Sequence, residues 1–405
     1  MIRFVHVADV HIGMDNYGRT NPVTGMSTRL EDFLGTLDES VDRAIDDHAD
    51  LYVLAGDIYK TRDPSPTHQR EFARRIRRLV GAGIQVVMVA GNHDLPLSPS
   101  RATAIDIFSA LDVPGVHVAR TIRSMRIQTR NGPVQVLAFP WMTRSVVLAD
   151  DQHKGATIEE LNQRMVHMAT DRLRALSEQL DTQIPSMIVA HVHMFGAKVG
   201  AERMLNVGRD PMLGLDAFPV ENIGFIALGH IHRHQALTLQ DPAIVYPGSI
   251  NRVDFSEEDQ QKGFVLGELH VGRCEWEFIP VNARPFVTIS AVVDEEAPTD
   301  SVLGAIRECP SSLTDAVVRV ELTTTRAAGL LVRDDAIRAE LKDAFLVAPI
   351  RRQYSDDLDR QHIDVPTGLP PVDALKMYLR RMGNYDAERQ RTLVEYARRL
   401  MAPRV

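Results

Sequence analysis

Cysteine is nearly absent. Cys274 and Cys309 are the only two in 405 residues, and neither belongs to a CxxC pattern. That argues against a disulfide framework or a zinc ribbon and fits a reducing cytoplasm. No apolar run approaches the roughly 20 residues that span a bilayer. The opening stretch MIRFVHVADVH reads as a strand rather than a cleavable leader. Aromatic residues form no stripe along the chain, so base stacking is not the obvious binding mode. Excess positive charge is missing too: 46 Lys and Arg against 54 Asp and Glu leave a net charge of −8. This argues against a globally basic nucleic-acid binder and leaves room for a local basic track. The length suffices for two or three domains and a large core.

Against these absences stand five strand-like apolar runs with polar tips: FVHVADVH, LYVLAGDIY, QVVMVAGNHD, MIVAHVH and FIALGHIH. The tips carry Asp9, His11, Asp57, Asn92, His93, His191, His230 and His232. A hydrophobic strand buries its body in a sheet and delivers its last residue to one edge, so five such strands bring distant groups together. DVH offers a carboxylate and an imidazole on one side of an extended segment. Asp57 is a carboxylate at a strand end, and one carboxylate can bridge two cations. GNHD adds an amide oxygen and an imidazole, and GHIH two imidazoles at period two. Mixed nitrogen and oxygen ligation suits manganese, zinc or iron better than calcium. One DxH or one GD is usually a loop or a cap, and one buried histidine is usually a hydrogen-bonded core residue. The full ordered set is not explained that way, and it predicts a dinuclear metal site. His6, inside the first run, reads as structural, and His234 as a surface residue.

Strands and helices alternate over the first ~280 residues, which predicts an α/β layered core. The run TRLEDFLGTLDESVDRAIDDH carries apolar residues at helical spacing, and a second helix follows Pro66 and stops at Gly81 and Gly83. Asn131-Gly132 between two β-rich runs predicts a hairpin. A helix is expected around 158–180, then short antiparallel strands from DPAIVYPGSI to CEWEFIPV. The expected division is a core over 1–284, a small α+β domain over 285–354, a linker over 355–371 and a helical hairpin over 372–405 broken at Gly383-Asn384.

The order and wording of these motifs resemble the calcineurin-like metallophosphoesterase superfamily. Within it they resemble the SbcD-type DNA exonuclease subunit and its archaeal and eukaryotic relatives, the partners of an SMC-like ATPase. The resemblance covers most of 1–280, in VADVHIG, LAGDIY, VAGNHD, AHVHMFGA, LDAFPVENIGFIALGHIHR and YPGSI. It implies a four-layer αββα core with the α+β segment as a capping domain. It implies two divalent metal ions, manganese first, with iron or zinc as alternatives. One would be held by Asp9, His11, Asp57 and His232, the other by Asp57, Asn92, His191 and His230, with Asp57 bridging. His93 would stay off the metals and act on the reacting phosphate, and Asp94 would orient it. His193 shares AHVHMFG with His191, and the family pattern implies His191 as the ligand. One departure stands out. The archaeal and eukaryotic relatives carry G-D-x-x-H, and here that last position is Lys60. This moves the resemblance toward the bacterial SbcD type and leaves the support of His93 open. Lys60 is either a phosphate contact or a solvated lysine.

The resemblance implies a metal-dependent phosphodiester hydrolase. It would be a double-strand exonuclease and single-strand endonuclease, acting in DNA repair and recombination as a subunit of an SbcCD-type complex. It also implies a homodimer within a heterotetramer, no membrane, and a cytoplasmic, nucleoid-associated location. Arg62 and Arg233 lie near the ligand motifs and are candidate substrate contacts with Lys60. The run RRIRR at 74–78 is either a solvated helix face or a phosphate track. The last two helices are amphipathic, which serves either packing on their own domain or docking on an ATPase coiled coil. Two other functions compete: a stand-alone phosphodiesterase or phosphatase acting on a small nucleotide or a protein, and an inactive scaffold. The C-terminal segments argue against the first, and the complete ligand set with His93 against the second.

Overall fold

Apolar residues on both faces of a strand require cover on both faces of its sheet, and that requirement is met twice. The structure, a computed structural model, describes residues 1–96, 101–143, 157–200, 210–355, 371–382 and 386–401. In chain order the strands of the first unit are β1 (Ile2–Val7), β2 (Leu51–Ala55), β3 (Gln85–Val89), β4 (Val116–Ala119), β5 (Arg123–Thr129), β6 (Gly132–Phe139), β7 (Ser186–His191), β8 (His193–Met194), β9 (Met212–Leu213), β10 (Phe225–Gly229), β11 (Gln235–Thr238), β12 (Ala243–Tyr246), β13 (Gly263–His270) and β14 (Arg273–Pro280). One six-stranded sheet runs β14-β13-β1-β2-β3-β4, and a second runs β11-β12-β10-β7-β6-β5. Each has four parallel strands, β1 to β4 in the first and β6, β7, β10 and β12 in the second, with antiparallel strands at the margins.

Period-two alternation divides the side chains. Phe4, Val53 and Val89 of the first sheet meet Val136, Val189, Ala227 and Val245 of the second in a shared core. The outer face of the first sheet, with Val5, Leu54 and Met88, is covered by α1 (Thr28–Asp46) and α2 (Pro66–Gly81) through Phe33, Leu37, Phe72 and Ile76. A short α3 (Asp106–Ala110) adds Phe108 to that layer. The outer face of the second sheet, with Leu137, Ile188 and Leu228, is covered by α4 (Ile158–Ser177) through Ala169, Leu173 and Leu176. The result is the expected four-layer αββα core. Local signals place the helices: Ser27 caps α1, Ser65 caps α2 ahead of Pro66, and Thr157 with Glu160 forms a capping box on α4. α1 lies on the sheet, and its outward acids pair with α2.

At one edge the two sheets touch backbone to backbone. A Cβ on Gly229 would lie 1.9 Å from the Ala55 carbonyl oxygen, and one on Gly56 would lie 2.1 Å from the His191 ring. Only glycine permits that approach. The strands also stop earlier than their apolar runs suggest. β1 ends at Val7, so Asp9 and His11 do not share one side of an extended segment. They adopt left-handed backbone, φ 51° and 49°, as do Asp57 at 52° and, more loosely, His230 at 105°. Each such residue costs about 1–3 kcal/mol. The turns are what carry these side chains back over the sheet edge.

The chain divides into two units. The first comprises Met1–Val287 with Asp315–Val317, and the second Thr288–Thr314 with the chain from Val318 onward. Residues 315–317 return to the first unit because Arg284 donates to the Asp315 carbonyl at 2.9 Å and the Val317 N–H to Pro285 at 2.9 Å. The second unit holds a four-stranded sheet centred on Val317–Thr324, with helices at Pro298–Arg307, Arg326–Leu331 and Asp334–Glu340. Helices Pro371–Met382 and Ala387–Met401 pack on each other. Most of the expected linker, 356–370, and the Gly383-Asn384 break lie outside the described residues. Among the described residues no helix is long and apolar enough to cross a membrane.

Gly229→Ala is expected to lower stability by about 1–3 kcal/mol, because the methyl group must push two sheets apart. Gly35→Ala, on the exposed face of α1 with nothing within 4 Å, is expected to raise it by about 0.5–1 kcal/mol. Urea unfolding of both variants checks the contrast.

Candidate metal centre

The C-terminal ends of β1, β2 and β3 meet those of β7 and β10, and the loops there carry every group singled out as a ligand. Asp57 lies at the centre. His191 Nε2 is 3.5 Å from its Oδ1, and His11 Nε2 is 3.8 Å and His93 Nε2 3.9 Å from its Oδ2. The His93 N–H donates to Asp57 Oδ1 at 2.8 Å. On one side His11 Nε2 stands 3.0 Å from His232 Nε2, and Asp9 joins them. On the other side Asn92 Oδ1 stands 3.0 Å from His191 Nε2 and 3.1 Å from His230 Nδ1. Asp9 also accepts the His230 N–H at 3.0 Å, which ties the two sheets together. Asp57 and His11 are buried, whereas the His93 side chain is 31% exposed and sits at the mouth.

The rings of His191, His232 and His93 each have one nitrogen committed elsewhere. His191 donates from Nδ1 to the Ala55 carbonyl at 2.7 Å, which leaves Nε2 with a lone pair. His232 donates from Nδ1 to Glu257 Oε1 at 2.7 Å, with the same consequence. His93 donates from Nδ1 to the Lys60 carbonyl at 2.8 Å. Burial holds His11 and His230 well below the usual histidine range, and their neighbouring imidazoles push the same way, so both rings are neutral. Converging neutral nitrogens, carboxylates and an amide oxygen, with acceptor facing acceptor at Asn92 and His191, make a donor set that divalent cations would satisfy. Asp9, His11 and His232 form one cluster and Asp9, Asp57 and His191 another, while His11, Asp57 and His93 form a third. The set is compatible with two divalent cations.

Several expectations change in detail. Asp94 does not reach the His93 ring through any hydrogen bond described. Its carboxylate accepts from the N–H groups of Ile58, Tyr59 and Gly91 at 3.0–3.1 Å and so clamps two ligand loops together. Burial first, and then Asp57, push its pKa up to about 6. The ring is held instead by the backbone of Lys60, a role any residue type can fill. Arg62 is exposed and donates from Nε to the Leu95 carbonyl at 2.6 Å, beside the GNHD loop. Arg233 is exposed in a cleft of about 1310 Å³ that is also lined by His193, Lys198, Arg174 and His230. His193 lies 5.6 Å from the His230 ring, centre to centre. His6 donates to the Leu228 carbonyl at 3.1 Å in the core, and His234 stacks on Phe278 at 3.9 Å. Three arginines of the RRIRR run pair with neighbouring acids: Arg75 and Arg78 with Asp38, Arg78 also with Asp42, and Arg74 with Glu71. The run also occupies the far half of α2, about 12–18 Å along the helix from the end that faces the site. A phosphate track beside the site is therefore not what those arginines form.

Two groups at the site escaped the sequence reading. The Trp141 indole lies 4.8 Å from the His230 ring and 6.0 Å from that of His191. It follows β6 as the ligands follow their strands, and that position was a usable signal. Glu257 and Lys262 are fully buried behind His232. In sequence they are two charges in a polar loop, and nothing marked them.

Fold and donor set define the class, a phosphoesterase core whose site can accept two divalent cations. Residues 2–234 match the calcineurin-like phosphoesterase family, and the chain belongs to that family. It is similar to the DNA double-strand break repair protein Mre11 of Archaeoglobus fulgidus, at 24% identity over 318 residues covering 75% of this chain. The match spans 63% of that protein's length. Among solved structures, TT1561 of Thermus thermophilus is 15% identical with a TM-score of 0.40, covering 68% of this chain and 98% of that one. A dimetal phosphatase from Danio rerio is 14% identical with a TM-score of 0.37, covering 69% of this chain and 99% of that one.

Asp94→Ala is expected to act on stability. It strands three N–H groups, and the loss should be about 3 kcal/mol or more in thermal or urea unfolding of the metal-free protein.

Proposed function

We propose that the chain is a metal-dependent DNA nuclease, a double-strand exonuclease and single-strand endonuclease. It would act in DNA repair with an SMC-like coiled-coil ATPase, as in an SbcCD-type complex. The observation that carries the catalytic part is His93: a half-buried imidazole beside a buried Asp57-centred cluster, with Nδ1 fixed and Nε2 3.9 Å from Asp57 Oδ2. The similarity to the archaeal repair protein supports DNA as the substrate.

Asp9, His11, Asp57 and His232 would hold one cation and Asp57, Asn92, His191 and His230 the other, with manganese as the proposed metal. Bound there, the pair would polarise a phosphodiester oxygen and acidify a water. The Lys60 carbonyl keeps the His93 proton on Nδ1 in the resting ring, and a second proton on Nε2 is the one delivered to the leaving 3′ oxygen. Arg233, in the cleft, and Arg62, beside the GNHD loop, would contact backbone phosphates, which suits cleavage without sequence preference. The Lys60 side chain is a third candidate contact. Residues 1–284 would form the nuclease domain and 285–354 a cap shaping DNA entry, joined by the 355–371 linker to a docking hairpin at 372–405. Tyr378 and Tyr396 are exposed on that hairpin, at 41% and 61%, where a partner helix could cover them. A homodimer within a heterotetramer and a nucleoid-associated, cytoplasmic location complete the proposal.

Manganese-dependent degradation of linear double-stranded DNA is the test. His93→Ala is expected to slow it by about 10²–10⁴-fold while manganese binding persists. Absence of DNA cleavage together with good turnover of a small phosphodiester would replace the nuclease reading by a stand-alone phosphodiesterase. Deletion of 372–405 is expected to abolish co-purification with the coiled-coil ATPase and to spare hydrolysis of a small phosphodiester.

A further inference from the structure

We infer that Glu257 and Lys262 are a positioning pair that fixes the tautomer and the aim of the His232 ring toward its metal. Glu257 Oε1 accepts the Nδ1–H of His232 at 2.7 Å, and Oε2 accepts from Lys262 Nζ at 2.9 Å and from the Val253 N–H at 2.9 Å. The three N–H groups of Lys262 are shared among that carboxylate, the His232 carbonyl at 3.0 Å, Ser249 Oγ at 2.8 Å and Gln260 Oε1 at 3.0 Å. One ammonium therefore grips the residue twice, at its backbone directly and at its ring through the carboxylate. Both side chains are fully buried, which is expensive for charges that only brace a loop. The Ser249 N–H adds a second bond to the His232 carbonyl at 3.0 Å. With backbone and Nδ1 both held, Nε2 has one direction left, toward His11 and Asp9.

The carboxylate does a further thing that a carbonyl does not. A carboxylate behind an imidazole raises the donor strength of the opposite nitrogen. His191 has only the Ala55 carbonyl behind it. The two sides of the cluster are thus backed differently: His232 has a carboxylate behind it, itself paired with Lys262, and His191 a neutral carbonyl.

The inference rests on His232 being a metal ligand, and the test separates the two ideas. Manganese is titrated calorimetrically into the full-length metal-free protein, and cobalt substitution gives a visible spectrum as a second readout. In Glu257→Gln with Lys262→Met, which removes both charges together, one of two binding events is expected to weaken about 10–100-fold while the other is unchanged. The cobalt spectrum should shift with it. Glu257→Asp keeps the charge and draws the carboxylate back from Nδ1, so it should weaken the same event if the double variant does not fold. Wild-type affinities and spectrum in a folded variant would overturn the inference and leave the pair as a brace. His232→Ala is the control. If it keeps both events, the ligand reading itself fails. If it loses one while the double variant loses none, only the positioning role fails.

Discussion

A carboxylate buried among imidazoles is the constraint on which the rest depends. Asp57 is nearly sealed from solvent, and three histidine rings stand within 3.9 Å of it. Burying such a charge without a partner costs several kcal/mol. One N–H from His93 does not offset that. Divalent cations, which this donor set can accept, would. The glycine contacts at Gly229 and Gly56 and the left-handed turns at Asp9, His11 and Asp57 all serve to bring ligands from two sheets to one point.

The support behind three rings of the cluster comes from three different sources. A strand carbonyl orients His191, a loop carbonyl orients His93, and a buried carboxylate orients His232. Backbone carbonyls are indifferent to side-chain identity. That is why Lys60 can stand where relatives are expected to carry a histidine, and still hold the His93 ring. Asp94 works one step further back, joining the Asp57 and Asn92 loops through three N–H groups.

Electrostatics narrows how a polyanion can approach. The chain is acidic overall, and α2's basic run is answered by the acids of α1 and by Glu71. The cleft itself is mixed, with Arg174, Lys198 and Arg233 set against Glu159, Asp171, Asp210 and Asp216, so positive potential there would depend on bound cations. A phosphate would be drawn to the place where it reacts rather than to a remote basic face.

Much of the fold was legible in the sequence because it is local or periodic. Continuous apolar runs announced strands buried on both faces, helical spacing placed α1, Pro66 with Gly81 and Gly83 bounded α2, and Asn131-Gly132 marked a hairpin. The polar tips named the groups that now stand together, since every parallel strand delivers its end to the same edge. Three things could not be read. The turn geometry of Asp9 and His11 depends on loops that pair only after β1 and β2 are side by side. The bonds of Asp94 depend on which N–H groups the folded loops leave unpaired. The burial of Glu257 and Lys262 depends on a polar loop closing behind His232, and charges in a polar stretch carry no sign of their fate. Sequence alone determined which chemistry-bearing residues exist and at which strand ends, because periodicity is a property of neighbours along the chain. Tertiary structure decided what each one touches, because hydrogen bonds and burial are set by neighbours in space.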